Sequence, residues 1–346
     1  MKYSCGVFIG RFQPLHTGHL HVINHSLAIC QKLILLVGSS NRAPSIRNPF
    51  SFNERKQMIL ADLESTAIDI NRIILEPIDD YYYDENAWLN DVKIAVNHNL
   101  NQDDTVVLVG HNKDSSSYYL SLFPNWHYQE VENFKQLNAT EFRNDYFLEA
   151  KLTKGYLIKG QAGYAIDGTY SFLLKFEKTK AYQLLKEEYI YVSAYKESWR
   201  GTPYPVILNT VDAFVRCCDH LLLIKRGGLP GKGQYALPGG FLEVDERIQA
   251  GILRELEEET SLKLNLTDIK YIQCFDHPER SVLGRIITQL GVFDLKLNDL
   301  PEIKACDDAK EAMWIPLEMI DLLKRQFFDD HYQIIRYIIK QGKKAL

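Results

Sequence analysis

The sequence predicts two folded domains, a parallel α/β sheet in the first half and a mixed α+β sheet in the second. Three observations carry this. The length of 346 residues exceeds what one hydrophobic core usually serves. The first 150 residues alternate short β-branched runs with helical patterns, the signature of a parallel sheet with crossover helices. Around 181–206 the texture changes, from helix-like Ala181 to Glu188, through Tyr191-Val192-Ser193-Ala194-Tyr195, to the turn-rich Gly201-Thr202-Pro203-Tyr204-Pro205. The predicted spans are 1–183 for the first domain, 184–205 for a linker and 206–346 for the second.

In the first domain the pattern predicts strands near 5–9, 33–37, 70–76 and 105–109, separated by helices near 18–31, 52–64 and 86–98. Ser51 and Glu54 have capping-box spacing ahead of Met58-Ile59-Leu60, which sets the start of the second helix. Ligands of such sheets bind where loops leave the carboxyl ends of strands, so residues 10–19, 38–50 and 110–117 are the segments to inspect. In the second domain strands are predicted at 206–217, 221–225, 269–275 and 285–296, with a Gly-rich loop at 227–240 and a charged helix at 246–260.

Composition narrows the function classes. With 46% hydrophobic and 25% charged residues the chain reads as globular, not disordered. A formal charge of -5 leaves no electrostatic footprint for nucleic acid, so small nucleotides are the expected partners; homo-oligomerisation stays compatible. Six cysteines without paired-CxxC spacing suggest neither a zinc site nor a disulfide framework, and because the N-terminus runs at once into a strand-like segment no signal peptide is expected. No apolar run approaches the roughly 20 residues of a membrane span. A cytoplasmic location is expected.

Directly after the first strand stands Gly10-Arg11-Phe12-Gln13-Pro14-Leu15-His16-Thr17-Gly18-His19. A strand-to-helix turn aims backbone N–H groups and a helix dipole at an anion, Gly18 would let a phosphate approach the backbone, and His16 and His19 can donate to phosphate oxygens as charge develops. The block lacks the spacing of a Walker loop or of GxGxxG. It resembles the HxGH signature of the nucleotidylyltransferase superfamily, whose fold is a Rossmann-like parallel sheet. Ser45-Ile46-Arg47-Asn48-Pro49-Phe50 with Asn53-Glu54-Arg55, then Val109-Gly110-His111-Asn112-Lys113-Asp114, then Asn138-Ala139-Thr140-Glu141-Phe142-Arg143, resemble the archaeal-type nicotinamide mononucleotide (NMN) adenylyltransferases. Other superfamily members, such as pantetheine-phosphate adenylyltransferases and cytidylyltransferases, share HxGH but are not expected to carry these blocks.

The resemblance implies NMN + ATP giving NAD + pyrophosphate by direct attack on the α-phosphate. His16, His19 and Arg143 would be catalytic. Gly10, Arg11, Phe12, Gly18, Arg47, Gly110, Asn112, Lys113, Asp114 and Thr140 would bind substrate. Trp88 reads equally as a stacking partner for the nicotinamide and as a core anchor of its helix.

The second constellation is Gly240, Glu246 and the run Arg254-Glu255-Leu256-Glu257-Glu258-Glu259-Thr260-Ser261-Leu262. On a helix Glu255, Glu258 and Glu259 share one face, and like charges so placed cost roughly a few tenths of a kcal/mol per pair unless a cation neutralises them. A hard divalent ion with oxygen ligands would do so. The spacing resembles the Nudix box, with Ser261 where glycine is usual. That resemblance implies a Nudix fold, a mixed sheet between helices, with Glu255, Glu259, Glu258 and the Gly239 carbonyl as ligands of magnesium, or of manganese in its place. Glu258 and Glu259 would serve catalysis, and Glu246 and Arg254 would orient the ligands. Leu237-Pro238-Gly239-Gly240-Phe241, Gly284-Arg285-Ile286 and Asp307-Asp308-Ala309 before Trp314 resemble the ADP-ribose pyrophosphatase branch, which implies ADP-ribose as substrate and Arg285 as a substrate-binding residue. The base is expected around Glu302, Asp307 and Asp308. Along nearly its full length the chain resembles the bacterial bifunctional NMN adenylyltransferase/Nudix hydrolases; the alternative is a Nudix domain that cleaves another nucleoside diphosphate derivative or senses an ADP-ribose-like ligand.

Overall fold

The computed structural model describes residues 1–110, 122–132, 137, 139–148, 165–306 and 309–344. The chain forms two compact units, Met1–Tyr81 with Glu85–Lys186, and Tyr82–Asp84 with Glu187–Leu346.

In the first unit β1 (Tyr3–Gly10), β2 (Cys30–Val37), β3 (Ile73–Pro77), β4 (Val106–Gly110) and β5 (His127–Glu130) pair in the order β3-β2-β1-β4-β5, all parallel. The strand alternation decides which side chain meets which helix. Leu33, Leu35, Val37, Val107 and Val109 join one buried cluster with Ile23 and Leu27 of α1 (Thr17–Ile29) and Ile59 and Leu63 of α2 (Phe52–Ser65). Ile34, Leu36, Val106 and Leu108 join another with Val92 and Val96 of α3 (Glu85–Asn97). The order reverses between β1 and β4, so the crevice at their carboxyl ends is the ligand position for this class of sheet. Gly10 and Gly110 are the last residues of those two strands.

Further along the chain come α4 (Ala139–Phe147), α5 (Asp167–Phe176) and α6 (Lys180–Ser198). The 184–205 stretch, read as a linker, is helical to Ser198, because Tyr182, Leu185, Glu188 and Val192 fall on one buried stripe.

The second unit pairs β10 (Tyr271–Phe275), β11 (Arg285–Leu295), β6 (Ile207–Cys217), β7 (His220–Arg226) and β12 (Ala309–Pro316) in the order β10-β11-β6-β7-β12. β8 (Tyr235–Ala236) pairs with β7, and β9 (Gly239–Phe241) with β6. Only β11 and β6 run parallel among these pairs, so the sheet is mixed. Val211, Ala213 and Val215 pack on Ile252 and Leu256 of α7 (Ile248–Thr260). Phe214, Leu221, Leu223, Leu290 and Val292 face Ile334, Ile335 and Ile338 of α8 (His331–Lys344). Within this unit Tyr83 donates to Asp330 at 2.5 Å, and Asp330 pairs with Arg280 at 3.0 Å, all three burying their polar ends together. No described helix is long and apolar enough to cross a membrane.

In the first unit, α2 and α5 approach so closely at Gly168 that a Cβ there would lie 2.6 Å from that of Ala61. The fully buried Asp62 caps α5, accepting the Thr169 N–H at 2.7 Å and its hydroxyl at 2.5 Å. Burial outweighs these hydrogen bonds and pushes the Asp62 pKa up to about 6. The folded state thus holds a proton that the unfolded chain releases near pH 4, and stability contributed by this group falls as pH rises from about 4 to about 6. The expected loss is about 3 kcal/mol. Urea unfolding of the first unit at pH 4.5 and 7 should show this slope in the native chain and a flatter one in Asp62→Asn.

Candidate active sites

The first site begins where β1 ends. His16 is the N-cap of α1: its Nδ1 accepts the Gly18 N–H at 3.1 Å, while the Nδ1 of His19 accepts the His16 N–H at 3.3 Å. The two histidines therefore build a capping box, and their rings stack at 3.7 Å. With each Nδ1 accepting, the proton of the neutral ring sits on Nε2. The space over Gly18, expected to admit a phosphate, is instead filled by the His16 ring; a Cβ at Gly18 would stand 3.0 Å from it. Glycine is needed here so that the capping imidazole can lie down on the turn.

Gln13 holds this loop to its neighbours. Its Nε2 donates to the Phe50 carbonyl at 2.9 Å, its Oε1 accepts the Phe50 N–H at 3.1 Å, and its own carbonyl accepts from Arg143 Nη1 at 2.9 Å. Arg143, nearly buried on α4, also donates to the Thr140 hydroxyl at 3.2 Å. The structure thus gathers His16, His19, Thr140 and Arg143 around one turn. Arg55 anchors the base, donating to the carbonyls of Arg11 at 2.5 Å and Gly38 at 2.6 Å. Arg11 is exposed and Arg47 half-buried in the loop after β2.

Other predicted residues occupy different roles. Phe12 is buried between Phe8 and His19, with a ring-to-ring distance of 4.9 Å to the histidine, and a Cβ at Gly10 would stand 3.0 Å from its ring. Trp88 packs with Phe123 against the cluster on the α3 side of the sheet. Gly110 closes β4 and its carbonyl accepts from Val131. His111, Asn112, Lys113, Asp114 and Asn138 lie outside the described residues.

The second site is built by β9 and α7. Glu259, with only 5% of its surface exposed, accepts the Gly239 N–H at 2.8 Å. A Cβ at Gly240 would fall 2.5 Å from a Glu255 carboxylate oxygen, so a larger residue there would displace that carboxylate. Arg254 organises the acids: it donates to both Glu246 oxygens at 2.6 and 3.0 Å, to Glu255 at 2.9 Å and to Glu258 at 2.8 Å. These bonds hold the Glu246 carboxyl below its usual range. Burial lifts Glu255, and lifts Glu259 to about 8; the Gly239 hydrogen bond opposes the second shift, while the charges of Glu255 and Asp212 add to it. Ser261 is the C-cap of α7 at φ 58°, a left-handed position that explains why glycine is usual there, and it leaves the acids untouched.

A cavity of about 560 Å³ opens over these groups, lined by Glu255, Glu258 and Glu259 together with Asp212, Arg226 and Arg280. The last three were not read from the sequence. Asp212 lies on β6 and accepts a hydrogen bond from the Thr288 hydroxyl, far in sequence from the acidic helix, and a lone Asp inside a strand carries no local signal. Arg285 starts β11 and donates to the Asp276 carbonyl, while Arg226 and Arg280 line the cavity. Glu302 is exposed, and Asp307 and Asp308 lie outside the described residues.

Among the described residues no three His, Cys, Asp or Glu side chains converge on one point; Arg254 spreads Glu246, Glu255 and Glu258, and Glu259 meets an amide. The donor set nevertheless fits a hard divalent cation. It is all oxygen and anionic, and a cation would favour the charged form of Glu259 against the burial, and the lesser repulsion from Glu255 and Asp212, that raise it.

Comparison with known proteins gives the same division. A cytidylyltransferase-like family model matches residues 7–156 and a NUDIX domain model residues 207–338. A nicotinamide/nicotinic acid mononucleotide adenylyltransferase from Acinetobacter baylyi is 38% identical over 189 residues, 54% of this chain and 94% of its own length. An ADP-ribose pyrophosphatase from Methanocaldococcus jannaschii is 36% identical over 126 residues, 36% of this chain and 69% of its own. The crystal structure of a bifunctional NMN adenylyltransferase/ADP ribose pyrophosphatase from Francisella tularensis, complexed with AMP and manganese, aligns over 98% of this chain and 99% of its own at 41% identity with a TM-score of 0.90. With both halves matched and the whole chain aligned, this protein belongs to the family of bifunctional NMN adenylyltransferase/ADP ribose pyrophosphatase enzymes.

Proposed function

We propose that the chain joins NMN to ATP, releasing NAD and pyrophosphate, and that it hydrolyses ADP-ribose to AMP and ribose 5-phosphate. The observation that carries the first reaction is the His16–His19 capping box, locked to Arg143 through Gln13 at the carboxyl end of β1. The phosphate of NMN attacks the α-phosphorus of ATP and pyrophosphate leaves with its bonding electrons. His16 and His19 donate from Nε2, and Arg143 places a fixed positive charge beside them, so the charge that builds on the phosphoryl oxygens is met by groups already oriented. Residues 1–183 carry this activity, with Arg11 and Arg47 as further phosphate contacts and Lys113 and Asp114 as nucleotide contacts.

Residues 206–346 carry the hydrolase. Glu255, Glu258, Glu259 and the Gly239 carbonyl would hold magnesium or manganese, which supplies polarisation of the pyrophosphate and a more acidic water. Arg254 and Glu246 orient the carboxylates, consistent with their shared hydrogen bonds. Arg226 lines the cavity with the charge an anionic substrate needs, and Arg280, whose charge is paired with Asp330, lines it alongside. The six free cysteines fit a reducing cytoplasm.

Incubation of the purified chain with magnesium, ATP and NMN should yield NAD, and with ADP-ribose should yield AMP and ribose 5-phosphate. Hydrolysis should stop on chelation and return with magnesium or manganese. If NAD forms while ADP-ribose persists, the second unit takes another ligand; absence of NAD overturns the first assignment. His19→Ala should lower NAD synthesis by about 10²–10³-fold and leave hydrolysis intact, as loss of a preorganised donor does. Glu259→Gln should lower hydrolysis by at least about a hundredfold and spare NAD synthesis. Cross-inactivation in folded variants would contradict independent chemistry.

A further inference from the structure

The hydrolase cavity has a wall that comes from outside the residues matching the NUDIX model. Tyr191 and Tyr195 of α6 both line it, one helical turn apart, and both precede residue 207, where the match begins. Their placement is built into the unit. Glu188, three residues before Tyr191 and seven before Tyr195, lies on the same stripe; its buried carboxylate accepts the Gly231 N–H at 3.0 Å, and Val192 beside it is 1% exposed. The helix is therefore pinned to the loop after β7, whose residues Gly228, Leu229 and Pro230 also line the cavity.

The rings themselves are not consumed by the core. Tyr191 keeps 44% of its surface exposed, and Tyr195 meets Trp199 edge-on at 6.3 Å. Two aromatic faces at i and i+4 above a cavity that also holds clustered acids and arginines match a substrate with a flat ring at one end and a pyrophosphate at the other. We propose that Tyr191 and Tyr195 form the platform on which the adenine of the hydrolase substrate stacks, so that α6 sets base affinity while α7 carries the hydrolysis. This rests on the assignment of ADP-ribose as substrate. Stacking needs the ring and not the hydroxyl, so phenylalanine should substitute for tyrosine at both positions.

In the full-length chain, Tyr191→Ala and Tyr195→Ala should each raise KM for ADP-ribose about tenfold, within the range that base stacking supplies, with kcat changed less than about threefold. Tyr191→Phe and Tyr195→Phe should restore native KM. NAD synthesis by the same variants reports that the first unit has folded, and a kcat for ADP-ribose close to the native value reports that the second has. A second measurement is independent of turnover: 8-azido-ADP-ribose, irradiated with the native chain and mapped by mass spectrometry, should label the tryptic peptide 187–196. Unchanged KM in both alanine variants, or labelling confined to other peptides of the second unit, overturns the platform. Labelling of 187–196 without hydrolysis of ADP-ribose supports the platform and counts against the hydrolase assignment alone.

Discussion

The side chain of Gln13 is the tie on which the first site depends. A backbone that turns from a strand into a helix leaves N–H and C=O groups without ladder partners, and in a nearly dry crevice each must be met. Gln13 meets both groups of Phe50 with one amide, and offers its own carbonyl to Arg143. The loop after β2, the turn after β1 and α4 are drawn together by three hydrogen bonds. Positive charge is thereby collected at the reversal point of the sheet, where the backbone dipole of α1 already favours an anion.

The second unit solves the opposite electrostatic problem. Its acids gather on one face of α7 and at Glu246 just before it, and the fold contains their repulsion with one guanidinium that touches Glu246, Glu255 and Glu258. Glu259 lies beyond the reach of those contacts and is buried instead, which is why its proton affinity rises while that of Glu246 falls. One unit therefore concentrates cationic and neutral donors, the other acids, and a near-neutral sequence charge hides both.

Much of this was legible because the signals are local. The strand–helix alternation, the His16–His19 spacing and the acidic face of α7 each lie within a short window, and the structure places all three as read. Less legible were features that arise from long-range approach. The ring of His16 over Gly18, the Phe50 contacts of Gln13 and the position of Asp212 beneath Gly239 require knowing which segments meet. The 184–198 stretch, read as a linker after a helix-like start, is helical in the structure: its buried stripe of Leu185, Glu188 and Val192 has the helical period, but the tyrosines between them mask it. Tyr82–Asp84 grouped with the second unit for a similar reason: a Tyr run carries no hint that its partners are Phe275, His277 and Asp330, nearly two hundred residues or more away.

Gly240 shows how a backbone residue can govern a side chain it never bonds. The strand geometry there is ordinary, and the volume a methyl group would take is held by the Glu255 carboxylate. A change at this position would look like a modest alteration of a β-strand and behave like the displacement of an acid on α7. Shape, in this corner of the molecule, is a form of chemistry: the smallest side chain on one element sets where the charge of another can rest.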